Sequence, residues 1–105
     1  SIKLSDLFIH MVEQTCSDLH LESPIKSSER GSQVSFSHPS GYAIMQALID
    51  RNIVGDFRAP NIIRFGITPL YINEEDIIRT VKVLRDILSK RLWDTPAYLN
   101  RKKVT

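Results

Sequence analysis

The sequence predicts an α+β fold, with one small, mostly antiparallel sheet and helices on one face of that sheet. Three observations predict it. Helix-like and strand-like segments follow one another along the chain, the strand-like segments are short and bounded by turn residues, and residues 33–37 alternate strictly between polar and apolar. Such alternation is typical of a sheet covered on one face only. The 105 residues, of which 42% are hydrophobic, suit a single domain with a modest core.

The first element is an amphipathic helix, predicted over about 3–19. Ser5 and Asp6 are candidate caps for its start; alternatively, the helix continues back beyond them into a segment outside this sequence. Residues 20–24 are interpreted as a short strand, and residues 25–31, rich in turn formers, as a loop. The apolar stripe of the helix recurs at three- and four-residue steps and comprises Leu4, Leu7, Phe8, Met11, Val12 and Thr15.

The next strand is predicted at residues 33–37. Val34 and Phe36 point to the face that packs on helices, and Gln33, Ser35 and Ser37 point to the other face. We expect this polar face to meet water or a domain outside the chain.

A second helix is predicted over about 40–51, with Pro39 in its first turn, where a missing N–H is tolerated. Asn52 suits a left-handed stop after the helix. The predicted buried stripe is Tyr42, Met45, Leu48 and Ile49, with Ile44 and Ala47 beside it.

Residues 53–58 and 62–67 predict two strands joined by a turn at Pro60 and Asn61. Alternation puts Ile63, Phe65 and Ile67 on one face of the second strand. Arg64 lies on the opposite face with Gly66, which leaves room beside the guanidinium. A planar fork next to open space suits a carboxylate. The alternative interpretation is an exposed strand residue in a surface ion pair, which stabilises little.

Pro69 is expected to end that strand, and a third helix is predicted from Asn73 to about Lys90. Asn73 is the predicted N-cap, followed by acidic residues that favour the first turn. The tail over 92–105 is predicted to be weakly ordered. The buried stripe of the helix is predicted to be Ile77, Val81, Leu84 and Leu88.

Composition and motifs give no support for several classes of partner and site. A net charge of +2 does not by itself imply a nucleic-acid or membrane partner, and no apolar run reaches the roughly 18 residues of a membrane span. The single cysteine, Cys16, excludes an intrachain disulfide and fits a reducing compartment. His10, His20 and His38 show no metal-ligand spacing. The sequence carries neither a Gly-x-Ser-x-Gly motif nor a glycine-rich phosphate loop.

Three stretches of the sequence resemble one family: RGSQVSF at residues 30–36, HPSGYAIMQAL at 38–48 and GDFRAPNIIRFGITPLY at 55–71. Together they closely resemble the C-terminal part of bacterial kynureninases, and the first helix matches more loosely. The resemblance implies the small domain of an aspartate-aminotransferase-like pyridoxal-phosphate enzyme. Residues 1–105 would then be one C-terminal domain of a longer chain, which also fits a sequence that opens directly in a helix. It further implies a cytoplasmic homodimer.

The resemblance also implies a site. In the family, the small domain supplies an arginine that binds the substrate's α-carboxylate, and the matching position is Arg64. The implied reaction is the hydrolysis of L-kynurenine to anthranilate and L-alanine, in tryptophan catabolism and the kynurenine pathway toward NAD biosynthesis. Pyridoxal phosphate acts there as an electron sink. Arg58 is assigned a structural ion pair or turn contact, and His38 a partial cap or a surface position.

The cofactor is not expected to bind this chain alone. A Schiff base needs a lysine, and none of the chain's lysines lies in anything like the family's lysine segment, which belongs to the large domain. The chain alone is therefore expected to be inactive and to contribute no catalytic residue. Two alternatives stay open: a free-standing amino-acid-binding or regulatory module that uses the same arginine, and a purely structural fragment. The lysines are Lys3, Lys26, Lys82, Lys90, Lys102 and Lys103.

Overall fold

The computed structural model describes residues 2–22, 33–66 and 73–99. Within these ranges the fold is α+β, as the sequence predicts: four helices and a four-stranded antiparallel sheet. The elements in chain order are α1 (Ile2–Thr15), β1 (His20–Leu21), β2 (Gln33–Ser37), α2 (Gly41–Asp50), β3 (Asp56–Arg58), β4 (Ile62–Gly66), α3 (Glu74–Ser89) and α4 (Pro96–Leu99).

The sheet has the strand order β1-β2-β4-β3, and every neighbouring pair is antiparallel. β4 is therefore an inner strand, paired with β2 on one side and with β3 on the other. In this register Arg64 lies opposite Ser35 of β2 and also opposite Asp56 of β3. Opposite residues in adjacent strands point to the same face, so all three side chains belong to one face of the sheet.

The other face of the sheet carries the core. Phe8 of α1 lies edge-on to Phe36 of β2 and to Phe65 of β4, with ring centroids 5.9 and 5.0 Å apart. At the far edge, Tyr42 of α2 lies edge-on to Phe57 of β3 at 5.4 Å. Edge-to-face aromatic contacts add to the stabilisation that burial already supplies. The helices that contribute these rings thus pack on the apolar face, as predicted.

α1 begins and ends earlier than predicted. It starts at Ile2, so Ser5 and Asp6 lie inside the helix, and Ser5 is completely buried. The prediction that they cap its start is wrong, and the helix extends N-terminally beyond them, as the alternative interpretation requires. It ends at Thr15, whose hydroxyl donates to the carbonyl of Met11 at 2.7 Å. A turn then leads to Leu19, which is buried outside the helix.

α2 differs from its prediction in where it begins and in one residue of its buried stripe. Pro39 lies in the turn before the helix rather than in its first turn. Ile49 was placed in the buried stripe but is 46% exposed. The buried side of α2 is broader than a single stripe, because the helix packs against the sheet and against α3; periodicity therefore does not fix its edge. Asn52 has a φ of 65°, which confirms the left-handed stop.

The start of α3 follows its prediction closely. Asn73 is the N-cap: its side chain accepts from the Asp76 N–H at 3.0 Å, and the Asp76 carboxylate accepts from the Asn73 N–H at 3.1 Å. This reciprocal capping box satisfies two N–H groups that the helix itself leaves unpaired. The predicted stripe is buried together with Ile87.

The hairpin is shorter than predicted, because β3 begins only at Asp56 and residues 53–55 are not in a strand. Ile67 and Pro69, like the predicted loop at 25–31, lie outside the described residues. No helix among the described residues has the length and apolar character needed to cross a membrane.

The segment after α3 packs onto the domain as far as residue 99. Trp93 is buried in the core, with the Arg91 guanidinium 4.8 Å from its ring centroid. Tyr98 in α4 donates its hydroxyl to Asp50 at 2.7 Å. The sequence predicts a weakly ordered tail because residues 92–105 are polar and basic. The one tryptophan and the tyrosine of this segment nevertheless supply contacts to α2 and the core.

Candidate carboxylate-binding site

The candidate site lies on the face of the sheet opposite the core. Among the described strand residues on this face none is buried: Gln33 and Gly66 are exposed, and Ser35 and Ser37 are half-buried. The strict alternation of β2 produces this difference, since the intervening Val34 and Phe36 are fully buried. The face remains open to solvent or to another domain, in agreement with the sequence prediction.

Arg64 and Asp56 meet on this face through a bidentate contact. Arg64 Nε donates to Asp56 Oδ1 at 2.7 Å, and Arg64 Nη2 donates to Asp56 Oδ2 at 2.6 Å. The antiparallel register of β3 and β4 creates the pair, because it places the two residues directly opposite each other. Two parallel hydrogen bonds between a planar fork and a carboxylate fix orientation as well as distance.

The pairing favours the charged forms of both groups. The hydrogen bonds from Arg64 lower the pKa of the Asp56 carboxyl, and the nearby charge of Arg58 lowers it further. In turn, the hydrogen bonds to Asp56 raise the pKa of the Arg64 guanidinium. The side chains are 22% exposed for Arg64 and 54% for Asp56, so water screens the pair and its net contribution to stability is small.

Beside the ion pair lies a cavity of about 210 Å³. Gly66 borders it, and a Cβ built on Gly66 would meet no atom of the described residues within 4 Å. This is the open space that the sequence predicts beside the guanidinium. The cavity is lined by Gln33, Val54, Gly55, Asp56, Arg64 and Gly66. A small carboxylate could enter it and reach Arg64.

Asp56 is the site residue that the sequence interpretation missed. Its position could have been found from the hairpin itself. With a turn at residues 59–61, residue 58 pairs with residue 62, and every step away from the turn preserves that pairing. Two steps along the strands, Asp56 must face Arg64. Opposite charges at equal distances from a predicted turn are therefore a usable signal for a cross-strand pair.

Neither Arg58 nor His38 forms a hydrogen bond to Arg64 or Asp56 in the described part of the chain, although the charge of Arg58 is near enough to lower the pKa of Asp56. Arg58 is exposed at the end of β3, paired with Ile62, and its guanidinium makes no hydrogen bond within the described part of the chain. The predicted structural ion pair is therefore not present there. His38 Nδ1 accepts from the Ser40 N–H at 2.9 Å, which confirms a partial cap before α2. Its backbone N–H donates to the carbonyl of Asn61, at the turn end of the sheet.

Other chemistries find no support in the residues that the structure describes. These contain no group of three or more histidine, cysteine, aspartate or glutamate side chains that could hold a metal ion. Cys16 is buried, and burial raises the pKa of its thiol, so the reactive thiolate is disfavoured. Burial likewise lowers the pKa of His38, which suits a neutral ring whose Nδ1 accepts a hydrogen bond.

Comparison with known proteins places this geometry in a family. The family model described as "Kynureninase C-terminal domain" matches residues 1–84, a range that contains both Asp56 and Arg64. The chain belongs to the kynureninase C-terminal domain family. Kynureninase from Pseudomonas fluorescens is 47% identical over 107 aligned residues, and the kynureninases of Burkholderia mallei (strain SAVP1) and Burkholderia pseudomallei (strain K96243) show the same identity.

These alignments cover the whole chain but only 26% of each relative. The chain therefore spans about a quarter of the length of the curated kynureninases that it matches. Three-quarters of each relative has no counterpart here, and any group that acts from that part lies outside this chain.

The described residues do not fit the pyridoxal phosphate that the family resemblance implies. A Schiff base requires a lysine amine directed into the site. Lys82 and Lys90 are exposed on and just after α3, and no other lysine side chain is described. The cavity beside Arg64 offers one guanidinium, one carboxylate, one amide and backbone groups. That set can bind a carboxylate, but it cannot form the covalent link to the cofactor.

Proposed function

We propose that this chain is the C-terminal domain of a pyridoxal-phosphate-dependent kynureninase and that Arg64 binds the α-carboxylate of the substrate. The observation that carries the proposal is the arginine fork on the open face of a kynureninase C-terminal domain, next to a cavity with room for a carboxylate. The reaction would be the hydrolysis of L-kynurenine to anthranilate and L-alanine. A large domain would supply the cofactor, its lysine and the catalytic groups.

Arg64 would contribute binding and orientation. A guanidinium presents its donors in a rigid plane that matches both oxygens of a carboxylate. Holding the carboxylate in this way fixes the α-carbon relative to groups on the rest of the enzyme. Orientation of this kind removes much of the entropic cost from the reaction itself. The open polar face would then contact the large domain, and the complete enzyme would be a cytoplasmic homodimer that contains the sites.

The contacts favour Arg64 over Arg58 as the carboxylate-binding residue. Arg64 sits on the inner strand β4, is 22% exposed, and lines the cavity. Arg58 is exposed at the end of the edge strand β3 and does not line that cavity. A side chain held on both sides by neighbouring strands loses less freedom when it binds a ligand.

The test is steady-state kinetics with L-kynurenine in the complete enzyme. Arg64→Ala should lower kcat/KM by roughly tens- to hundreds-fold, because it removes both hydrogen bonds to the carboxylate. Arg64→Lys should restore only part of the loss, since an ammonium cannot reproduce the fork. Thermal melting should change little for either variant, because the core-facing neighbours Ile63 and Phe65 are untouched.

Arg58→Ala is the matched control, since it removes the same side chain from the same face two residues along β3 from Asp56. We expect kcat/KM to fall a few-fold at most, because Arg58 donates no hydrogen bond in the described part of the chain and acts on a carboxylate only through an exposed charge that water screens. Near-normal kcat/KM in Arg64→Ala together with a large loss in Arg58→Ala would show that Arg58, and not Arg64, binds the carboxylate.

A further inference from the structure

The Arg64 guanidinium has two edges, and Asp56 occupies only one of them. Asp56 accepts from Nε and Nη2, which form the side edge of the guanidinium. The end edge, formed by Nη1 and the second hydrogen of Nη2, makes no hydrogen bond among the described residues. Arginine carries five N–H donors, so three have no partner among the described residues after Asp56 is bound. A second carboxylate can therefore bind without displacing the first.

The local charges also favour a second carboxylate. Asp56 carries one negative charge, Arg64 carries one positive charge, and Arg58 lies close enough to lower the pKa of Asp56. These three groups sum to one positive charge. Because that sum stays positive with Asp56 ionised, an incoming carboxylate meets a net attraction despite the neighbouring anion.

The fork also restricts where the free edge points. The rotamers of a free arginine side chain sweep a wide volume, and binding costs the freedom to do so. Here two bonds of 2.7 and 2.6 Å orient the plane of the guanidinium, and the backbone of Asp56 is held by the pairing of β3 with β4. The unoccupied edge is thus held in one orientation before any ligand arrives.

We propose that Asp56 is a positioning residue, which holds Arg64 by its Nε–Nη2 edge and so orients the Nη1–Nη2 edge toward the α-carboxylate of the substrate. The inference rests on the proposed function, because it needs Arg64 to bind that carboxylate. It goes further by assigning a role to Asp56, which touches Arg64 and not the substrate. The opposite role, in which Asp56 competes with the substrate for the fork, predicts the opposite kinetic effect.

The test uses the complete enzyme with Asp56→Ala and the isosteric Asp56→Asn, neither of which can form the charged fork. KM for L-kynurenine should rise by about tenfold in both variants, because a misplaced binding group loses affinity, while kcat should stay within about threefold. Asp56→Glu, which keeps a carboxylate, should recover much of the loss. If KM is unchanged or falls, the positioning role is wrong, and a fall in KM would indicate competition.

A second measurement separates positioning from a general structural effect. Kynuramine differs from kynurenine by the absence of the α-carboxylate, so its inhibition constant should be the same, within about twofold, in wild type and in Asp56→Ala. An equal rise for kynuramine and kynurenine would overturn the inference. Ser37→Ala is the control, because it breaks another side-chain hydrogen bond on the same face, from Ser37 Oγ to Glu22 at 2.7 Å, and should leave KM unchanged.

The double variant with Arg64→Ala distinguishes this inference from the proposed function. If Asp56 acts through Arg64, adding Asp56→Ala to Arg64→Ala should cause no further loss in kcat/KM. Normal kcat/KM in Arg64→Ala alone would reject the proposed function. An impaired Arg64→Ala with an unimpaired Asp56→Ala would reject only the positioning role and leave the carboxylate-binding role standing.

Discussion

The two faces of the sheet differ in how their residues are held. On the helix face, Ile63 and Phe65 of β4 are buried, and Phe65 packs edge-on against Phe8. On the opposite face, the intervening Arg64 donates two hydrogen bonds to Asp56, its one partner among the described residues, and an open cavity lies beside it. Substitutions at adjacent residues of one strand should therefore affect different properties. Changes on the helix face should alter stability, and changes on the polar face should alter binding.

The largest expected effect on stability tests the helix face. Phe8→Ala removes a fully buried ring that contacts Phe36 and Phe65. Comparable substitutions of buried aromatic residues cost about 3–5 kcal/mol, so the free energy of unfolding should fall by that amount. Urea unfolding of the chain followed by circular dichroism would measure it.

Val54→Ala is the matched control for Phe8→Ala. Val54 is 87% exposed, and substitutions at exposed positions usually change stability by no more than about 0.5 kcal/mol. A small loss for Phe8→Ala, comparable to that for Val54→Ala, would mean that the helix face does not hold the fold together as described.

Two glycines provide a further test of the difference between the two faces, because Gly41 begins the helix α2 and Gly66 lies on the polar face beside Arg64. A Cβ at Gly41 would stand 2.8 Å from the carbonyl oxygen of Asn61, which is backbone and must shift, so Gly41→Ala should cost about 1–3 kcal/mol. A Cβ at Gly66 would meet no atom within 4 Å in the part of the chain that the structure describes, and the Gly66 backbone lies outside the left-handed region. Gly66→Ala should therefore be neutral or stabilise by up to about 1 kcal/mol.

Thermal or urea unfolding of the two glycine variants under identical conditions would check this prediction. Equal destabilisation by both substitutions would contradict the picture of one crowded and one open side.

The smallest expected effect is the acid dependence of the Asp56–Arg64 pair. The folded-state pKa of Asp56 lies below its ordinary value of 3.8. The pair therefore contributes stability above that value, and the contribution is lost as the pH falls through the lower, folded-state pKa. Wild type should lose more stability on acidification below pH 3.8 than Asp56→Asn does. The difference should be small, because Asp56 is half exposed.

Urea unfolding at a series of pH values would measure this difference, with Arg64→Ala as the second variant. Since Arg64 is the main cause of the pKa shift, Arg64→Ala should resemble Asp56→Asn. Parallel acid profiles for wild type and both variants would show that the pair contributes nothing to folding.

The sequence predicted the features that depend on local periodicity. Strict alternation at 33–37 gave β2 its bounds and its two faces, and Asn73 with Asp76 predicted the start of α3, because both signals act within a few residues. The face that carries Arg64 followed from the same alternation in β4. These predictions did not depend on the tertiary packing of the elements.

The features that depend on tertiary packing were not predicted. Ile49 fits the spacing of the α2 stripe, but the position of α2 between the sheet and its neighbouring helices decides which side is buried. Asp56 was missed because its role arises from strand register, which no single segment reveals. Trp93 and Tyr98 lie in a polar segment, and their contacts to the core and to Asp50 join residues far apart in the sequence.

The position of Trp93 affects where the folding unit can be cut. The family model ends at residue 84, but the core continues beyond it through Ile87, Leu88 and Trp93, all of them buried. A truncation at residue 84 would remove residues 85–89 of α3 and uncover the apolar surface that these side chains shield. The family model therefore marks a shorter unit than packing does, although the alignments to the kynureninases cover the whole chain. An expression boundary drawn from the family model alone would favour aggregation over folding.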